Sequence, residues 1–401
     1  MNTSEPPSTP IPLQPMGKVP FGQLFLAFLR LGATAFGGPA MVAYIGDLAV
    51  KKRGWLSKES FERGVALCQS IPGATAMQTA AYVGLRAGGP LGALAAFVGF
   101  GLPAFMLMIL LSAAYQAGRD LALVLAVFHG LHAIVIAIIT NAIINFGRTS
   151  VRGWRDALIA IGAVALLVFH VNPILVIVGA AGIAVLLYWR VAPAETPPLS
   201  ASRALAPRLL HWPFLIVLFV ATGLAALYVL DKQLLGLAAV MLKVDVFAFG
   251  GGFASVPLML HEVVDVRNWL DSRTFMDGIA LGQVTPGPIV ITATFVGYQV
   301  AGILGAIVGT LAVFSPSFFM VLLTVPYFDR LQKSVFFGRI LRGILASFVG
   351  LLLAVAIQFG LAVSWNVAVI IIAVVALVAL RLKVDILWVV LVGALTSVLV
   401  L

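Results

Sequence analysis

Long apolar runs separated by short polar joints dominate the chain. They fall at 21–49, 64–87, 91–117, 122–147, 155–171 and 173–189, and resume at 213–230, 235–260, 278–300, 302–327, 340–363, 365–381 and 385–401. Apolar runs of about 17–25 residues have the length of helices that cross a bilayer. No stretch shows the two-residue alternation of a membrane β-barrel. The pattern therefore predicts an all-α polytopic membrane protein. The apolar series stops between 190 and 212, where Pro193, Pro197, Pro198, Arg203 and Arg208 cluster. Such a stretch reads as a linker. The expected organisation is a disordered tail over 1–20, a first membrane repeat over 21–190, a linker with one connecting helix over 191–234, and a second repeat over 235–401.

The halves are copies. Phe36-Gly37-Gly38-Pro39 leads through a charged loop with Trp55-Leu56 to Gln69-Ser70-Ile71-Pro72-Gly73. Phe249-Gly250-Gly251-Gly252 leads through Trp269-Leu270 to Gln283-Val284-Thr285-Pro286-Gly287. Further on, Tyr82-Val83-Gly84 matches Phe295-Val296-Gly297, Gly89 and Gly92 match Gly302 and Gly305, and Pro103 matches Pro316. Paired positions stay 213 or 214 residues apart, a period that marks a duplicated domain and not a solenoid.

Charge separates the copies. The first loop carries Lys51, Lys52, Arg53, Lys58 and Arg63 against Glu59 and Glu62; its copy carries Glu262, Asp265, Asp271 and Asp277 against Arg267 and Arg273. Basic loops stay cytoplasmic, so the copies are expected to face opposite sides, as an inverted-topology repeat. Counting crossings refines this. If 21–49, 64–87, 235–260 and 278–300 are re-entrant hairpins with Phe-Gly-Gly and Pro-Gly tips, then Arg148, Arg152, Arg155, Arg339, Arg342, Arg381 and Lys383 all fall inside, with the linker arginines, Arg330 and Lys333. Each half then has two broken hairpins and about four spanning helices, and the helix at 213–230 reverses the second half. The alternative counts every run as spanning, giving 12 or 13 helices.

Composition adds limits. The chain is 62% hydrophobic and 10% charged, with a net charge of +10. Its basic residues are scattered through joints and form no stripe, which argues against nucleic acid. The single cysteine, Cys68, rules out an intrachain disulfide or a thiolate metal cluster. Residues 1–20 lack the basic start and apolar core of a signal peptide. There is no Walker A loop, no H-E-x-x-H and no nucleophile elbow, so no enzyme activity, cofactor or metal is expected.

The candidate chemistry sits at the breaks. Pro lacks an N–H and Gly tolerates unusual backbone angles, so Pro-Gly interrupts a helix. Freed backbone groups at membrane depth survive only where they are buried in protein or line a cavity. A helix restarting there turns its N–H groups and positive end toward that cavity, which suits an anion. Arg30 and Lys243 each stand six residues before a Phe-Gly-Gly, within apolar stretches where a cation is costly and usually functional. The blander reading has Arg30 reaching a lipid headgroup and Lys243 paired with Asp245. The anion-binding set is Arg30, Phe36, Gly37, Gly38, Gln69, Pro72 and Gly73 in the first copy and Lys243, Gly250, Gly251, Gln283, Thr285, Pro286 and Gly287 in the second. Thr75, Gln78 and Thr292 are further polar candidates. Asp47 and Asp245, carboxylates within apolar runs, are the candidates for proton coupling. His129 and His132 share a helix face and read as packing or interhelical bonding.

The duplicated Phe-Gly-Gly and Pro-Gly elements with the Trp-Leu loop between them resemble the chromate ion transporter family, in its long-chain, two-domain form. The copies depart from each other at Pro72-Gly73-Ala74 against Pro286-Gly287-Pro288, and at Pro39 against Gly252. The resemblance implies export of chromate from the bacterial cytoplasm across the inner (plasma) membrane and chromate resistance, with sulfate, a dianion of the same shape, as competitor. A membrane potential or a proton gradient would drive it. The alternatives are a sulfate or other oxyanion permease or exchanger on the same scaffold, and an anion channel or non-transporting scaffold. The expected partners are the oxyanion and the lipid bilayer; a homodimer is compatible with the layout but argued by no residue.

Overall fold

A computed structural model describes residues 19–36, 40–189, 212–328 and 334–400. The expected tail over 1–18, the linker over 190–211, Gly37, Gly38 and Pro39, and Arg330 and Lys333 lie outside the described residues. The described chain forms fifteen α-helices. The first half holds α1 (Phe21–Thr34), α2 (Ala40–Gly46, continued by a π-helical turn Asp47–Lys52), α3 (Lys58–Ser70), α4 (Thr75–Gly118), α5 (Ala122–Ser150), α6 (Trp154–Val168) and α7 (Pro173–Leu187). After α8 (Trp212–Leu230) the series repeats: α9 (Lys232–Phe247), α10 (Ser255–Leu260, with a π-helical turn His261–Val266), α11 (Ser272–Val284), α12 (Thr292–Thr324), α13 (Val335–Ala362), α14 (Val367–Arg381) and α15 (Ile386–Val400).

The duplication extends to the backbone. Among the described residues at positive φ, Gly54 pairs with Asn268, Gly73 with Gly287, Gly89 with Gly302 and His170 with Lys383. Both copies place a π-helical turn after the second helix. Both cap the third helix with a side chain: Ser57 Oγ accepts from Ser60 N at 3.2 Å, and Asp271 Oδ1 from Thr274 N at 2.7 Å.

The charged stretch read as a loop is largely helical. The Ser57 cap starts α3 six residues ahead of the apolar run, and its buried positions Gly64, Leu67 and Cys68 face the core. Tyr82 crosses so close to Gly64 that a Cβ there would stand 2.1 Å from its ring.

α4 and α12 are each two helical arms joined at a glycine. Gly89 has φ 74°, ψ −163° and Gly302 has φ 60°, ψ −146°, a region essentially reserved for glycine. Across the first bend, a Cβ on Gly84 would stand 2.2 Å from the Gly92 carbonyl oxygen; across the second, one on Gly297 would stand 2.1 Å from that of Gly305. In a straight helix such pairs lie about 12 Å apart, so the arms fold sharply onto each other. Among the described residues, four helical stretches, α4, α5, the segment Ile289–Tyr327 that contains α12, and α13, are long and apolar enough to cross a membrane. The chain is an all-α polytopic membrane protein built from two homologous halves.

The halves exchange their last helices. α13 packs along α6 and α7 of the first half, and α5 along α14 and α15 of the second. Small residues permit these crossings: a Cβ on Gly343 would meet Ala184 Cβ at 2.4 Å, and at the matching position Gly130 N donates to Ser397 Oγ at 3.1 Å.

Candidate functional site

A cavity of about 590 Å³ lies where the two copies meet. Four helix starts border it, two from each half. Met41 and Ala43 bring the beginning of α2, and Thr75 and Ala76 that of α4. Gly252 and Phe253 lead into α10, and Pro288 and Ile289 into α12. Helix starts leave N–H groups without intrahelical acceptors and carry the positive end of the peptide dipoles.

Gln69 and Gln283, at the ends of α3 and α11, line this same cavity from the two halves. The Gln283 Nε2 group is buried and has no acceptor among the described residues. A donor in that condition costs free energy unless a ligand or water meets it. Thr75, Thr285, Gly250, Gly251 and Gly287 complete the polar wall. Thr285 Oγ1 donates to the Gly282 carbonyl at 2.8 Å. At Gly251, φ is 96° and an added Cβ would stand 3.2 Å from Thr75 Oγ1, so backbone from one half and a hydroxyl from the other nearly touch. Glu62 is the one carboxylate on the lining, exposed and within 3.9 Å of Lys58.

The other candidates take different places. Pro72 and Gly73 are buried behind the wall, where Gly73 N donates to the Ala248 carbonyl at 2.9 Å and Gln78 Nε2 holds the Pro72 carbonyl. Pro286 is buried and Phe36 half-buried, and neither lines the cavity. Gly37 and Gly38 precede α2 but lie outside the described residues. The two cations are separated from the cavity. Arg30 is exposed on α1 and absent from the lining. The Lys243 ammonium bonds Glu262 on the next segment of its own half, and not Asp245. The structure does not bring Arg30 and Lys243 together at this cavity, whose polar lining is made of amides, hydroxyls, helix starts and the Glu62 carboxylate. Asp47 pairs with Lys51 at 2.8 Å on an exposed turn, so it is no buried proton carrier. Asp245 is fully buried and accepts from Ser317 N and Oγ at 2.7 Å each.

Two buried polar clusters join the halves, one of them through His132, which the sequence read as packing or interhelical bonding. Asp156 on α6 accepts a two-point bond from Arg342 on α13 at 2.9 and 2.8 Å, with Tyr188 donating to it at 2.5 Å. His132 on α5 meets Asp277 on α11 at 2.6 Å, and Tyr115 on α4 donates to that carboxylate at 2.8 Å. The hint available for Asp156 was its position as the lone carboxylate among Arg148, Arg152 and Arg155.

Comparison with known proteins gives the lineage. The sequence profile of a family described as "Chromate transporter" matches residues 22–186 and again 235–398. A transporter of Methanocaldococcus jannaschii, itself described as uncharacterized, is 43% identical over 380 residues, 94% of each chain. The chromate transport protein of Cupriavidus metallidurans is 32% identical over 87% of this chain and 86% of its own. That of Pseudomonas aeruginosa is 33% identical over 84% of this chain and 80% of its own. No solved structure matches. With the family profile matching both halves and these relatives spanning most of its length, the chain belongs to the chromate transporter family.

Proposed function

We propose that the protein is a secondary transporter that exports chromate from the cytoplasm across the bacterial inner membrane and so confers chromate resistance. The observation that carries this reading is the convergence of four helix starts and two glutamine amides, drawn equally from both halves, on one cavity. Neutral donors and dipole ends bind a tetrahedral dianion without fixing it as firmly as a full ion pair, which favours release as well as capture. The layout is a pair of repeats, 21–190 and 235–401, inverted about the linker 191–234 with its helix α8. The Phe-Gly-Gly and Pro-Gly breaks enter as re-entrant tips from opposite faces. The opposite charge of the two copied loops supports this arrangement.

An interior-negative potential drives a dianion outward with about 2.3 kcal/mol per charge per 100 mV, roughly 4–5 kcal/mol for two charges. Export therefore needs no ATP. The test is uptake of labelled chromate into inside-out vesicles with and without a potential positive inside the vesicle. Saturable, potential-dependent uptake that excess sulfate competes away is expected; an unchanged chromate content on expression of the chain would overturn the reading.

A further inference from the structure

Behind the cavity wall, the broken segment of the first half is fastened to the second half through a carboxylate. Ala74 N, at the start of α4, donates to Ser317 Oγ on α12 at 2.8 Å. Ser317 Oγ in turn donates to Asp245 Oδ2 at 2.7 Å, and Ser317 N bonds the same oxygen. Asp245, Ser317 and Gln78 are all 0% exposed. Thr75, which follows Ala74, lines the cavity. A chain of two side-chain hydrogen bonds thus runs from a buried carboxyl to the edge of the substrate site.

Two acceptors here are left unmatched. Asp245 Oδ1 and Gln78 Oε1 are both buried acceptors without a donor among the described residues. Gly73 packs against this chain of bonds: a Cβ on it would stand 2.2 Å from Ser317 Oγ, the hydroxyl that holds Asp245, and 2.6 Å from Gln78 Nε2. A buried carboxylate with no cation beside it is costly, and a buried acceptor with no donor is costly as well. A proton on Oδ1 removes that buried charge.

The other half shows that the fold does not require this carboxyl. The positions equivalent to Asp245 and Ser317 are Gly32 and Ala104. Gly287, the copy of Gly73, packs on Ala104, where an added Cβ would meet Ala104 Cβ at 2.7 Å. The same backbone crossing is made there by apolar residues alone. Asp245 and Ser317 are therefore additions to one copy of a junction that packs without them.

Several of the surrounding titratable groups have partners of their own. On α9 itself Lys243 is taken by Glu262, which follows α10. In that same segment His261 faces Asp265 at 3.6 Å and Arg267 stacks on Trp269. α12 contributes Tyr298 and α8 contributes Tyr228 as their described titratable groups, and α4 contributes Tyr82, Arg86 and Tyr115. Tyr82 bonds the Ser60 carbonyl and Tyr115 bonds Asp277.

We infer that Asp245 is a proton-binding site coupled to the oxyanion cavity: its carboxyl takes up and releases one proton, and through Ser317 that proton sets how the Pro72–Thr75 segment is held. The inference rests on the transport reading for its consequence and on the buried pocket for its existence. One proton site in one of two copies makes coupling asymmetric, with a single proton per cycle.

The test compares wild type, Asp245→Asn and the paired Asp245→Gly/Ser317→Ala variant, which copies the residues the first half already packs. In inside-out vesicles, both variants are expected to keep chromate uptake driven by the potential and to lose the response to an imposed pH gradient. Infrared difference spectra of the purified proteins on a pH step are expected to show a carboxylic-acid band in wild type that is absent in Asp245→Asn and retained in Asp277→Asn. A variant that keeps the wild-type pH-gradient response, or a band that survives Asp245→Asn, would overturn the proton site. Absence of chromate uptake by wild type would instead reject the transport reading, and the infrared band would still decide the proton site.

Discussion

Gln283 lines the cavity and carries a buried amide donor with no acceptor among the described residues, and Gln69 lines the cavity from the other half. A hydrogen bond to a charged group contributes about 1.5–3 kcal/mol. Gln283→Leu is therefore expected to lower chromate flux at limiting substrate by roughly 10- to 100-fold, measured as initial uptake into vesicles. Gln69→Leu should fall in the same direction by less, since that side chain is already exposed. Arg30→Ala should change flux far less than either, because Arg30 stands outside the cavity. These residues also show how far sequence reaches. The glutamine pair was legible because duplication marked it twice at matched spacing. A cation in an apolar run invites a functional reading for Lys243, while the carboxylate it bonds, Glu262, lies 19 residues away on another segment. Pairing across a turn is a three-dimensional fact that a linear pattern does not carry.

At the scale of elements, the bends at Gly89 and Gly302 turn each long apolar segment into two arms. No atom lies within 4 Å of a Cβ built on either glycine, so alanine there meets open space and only the backbone objects. Gly302→Ala is expected to lower stability by about 1–3 kcal/mol through φ and ψ alone, read as a fall in the melting temperature of purified protein. Gly297→Val should cost more, about 3 kcal/mol or above, because its side chain would enter the Gly305 carbonyl. The sequence placed breaks at the Phe-Gly-Gly and Pro-Gly motifs and paired these glycines correctly between copies. It missed the helical character of the charged stretch before each Pro-Gly, where a side-chain cap and one apolar face outweigh a local run of charge.

For the whole molecule, the decisive feature is the exchange of terminal helices between halves. Neither half can bury α6 and α7, or α14 and α15, against its own long helix in the observed way. Residues 1–211 and 212–401 expressed separately are expected to be degraded or to aggregate, and to co-purify as a folded pair when expressed together. Within that seam the fully buried Asp156 carboxylate is held by Arg342 and Tyr188. Asp156→Ala should destabilise the assembly by about 2–4 kcal/mol, the range for leaving a partly exposed guanidinium without its buried mate. The two homologous halves were legible because repetition is written in the sequence. Which half each helix leans on was not, since like copies present like faces and only the assembled chain chooses between them.

That exchange also sets a timetable for biosynthesis. α7 ends at Leu187, and the helix that covers it begins at Val335, about 150 residues later. At a ribosomal rate of roughly 5–20 residues per second, the first half waits roughly 7–30 s with one flank unmatched. The nascent chain is thus most exposed to quality-control proteolysis in mid-translation, and the cell's insertion machinery must shelter α6 and α7 until their partner arrives.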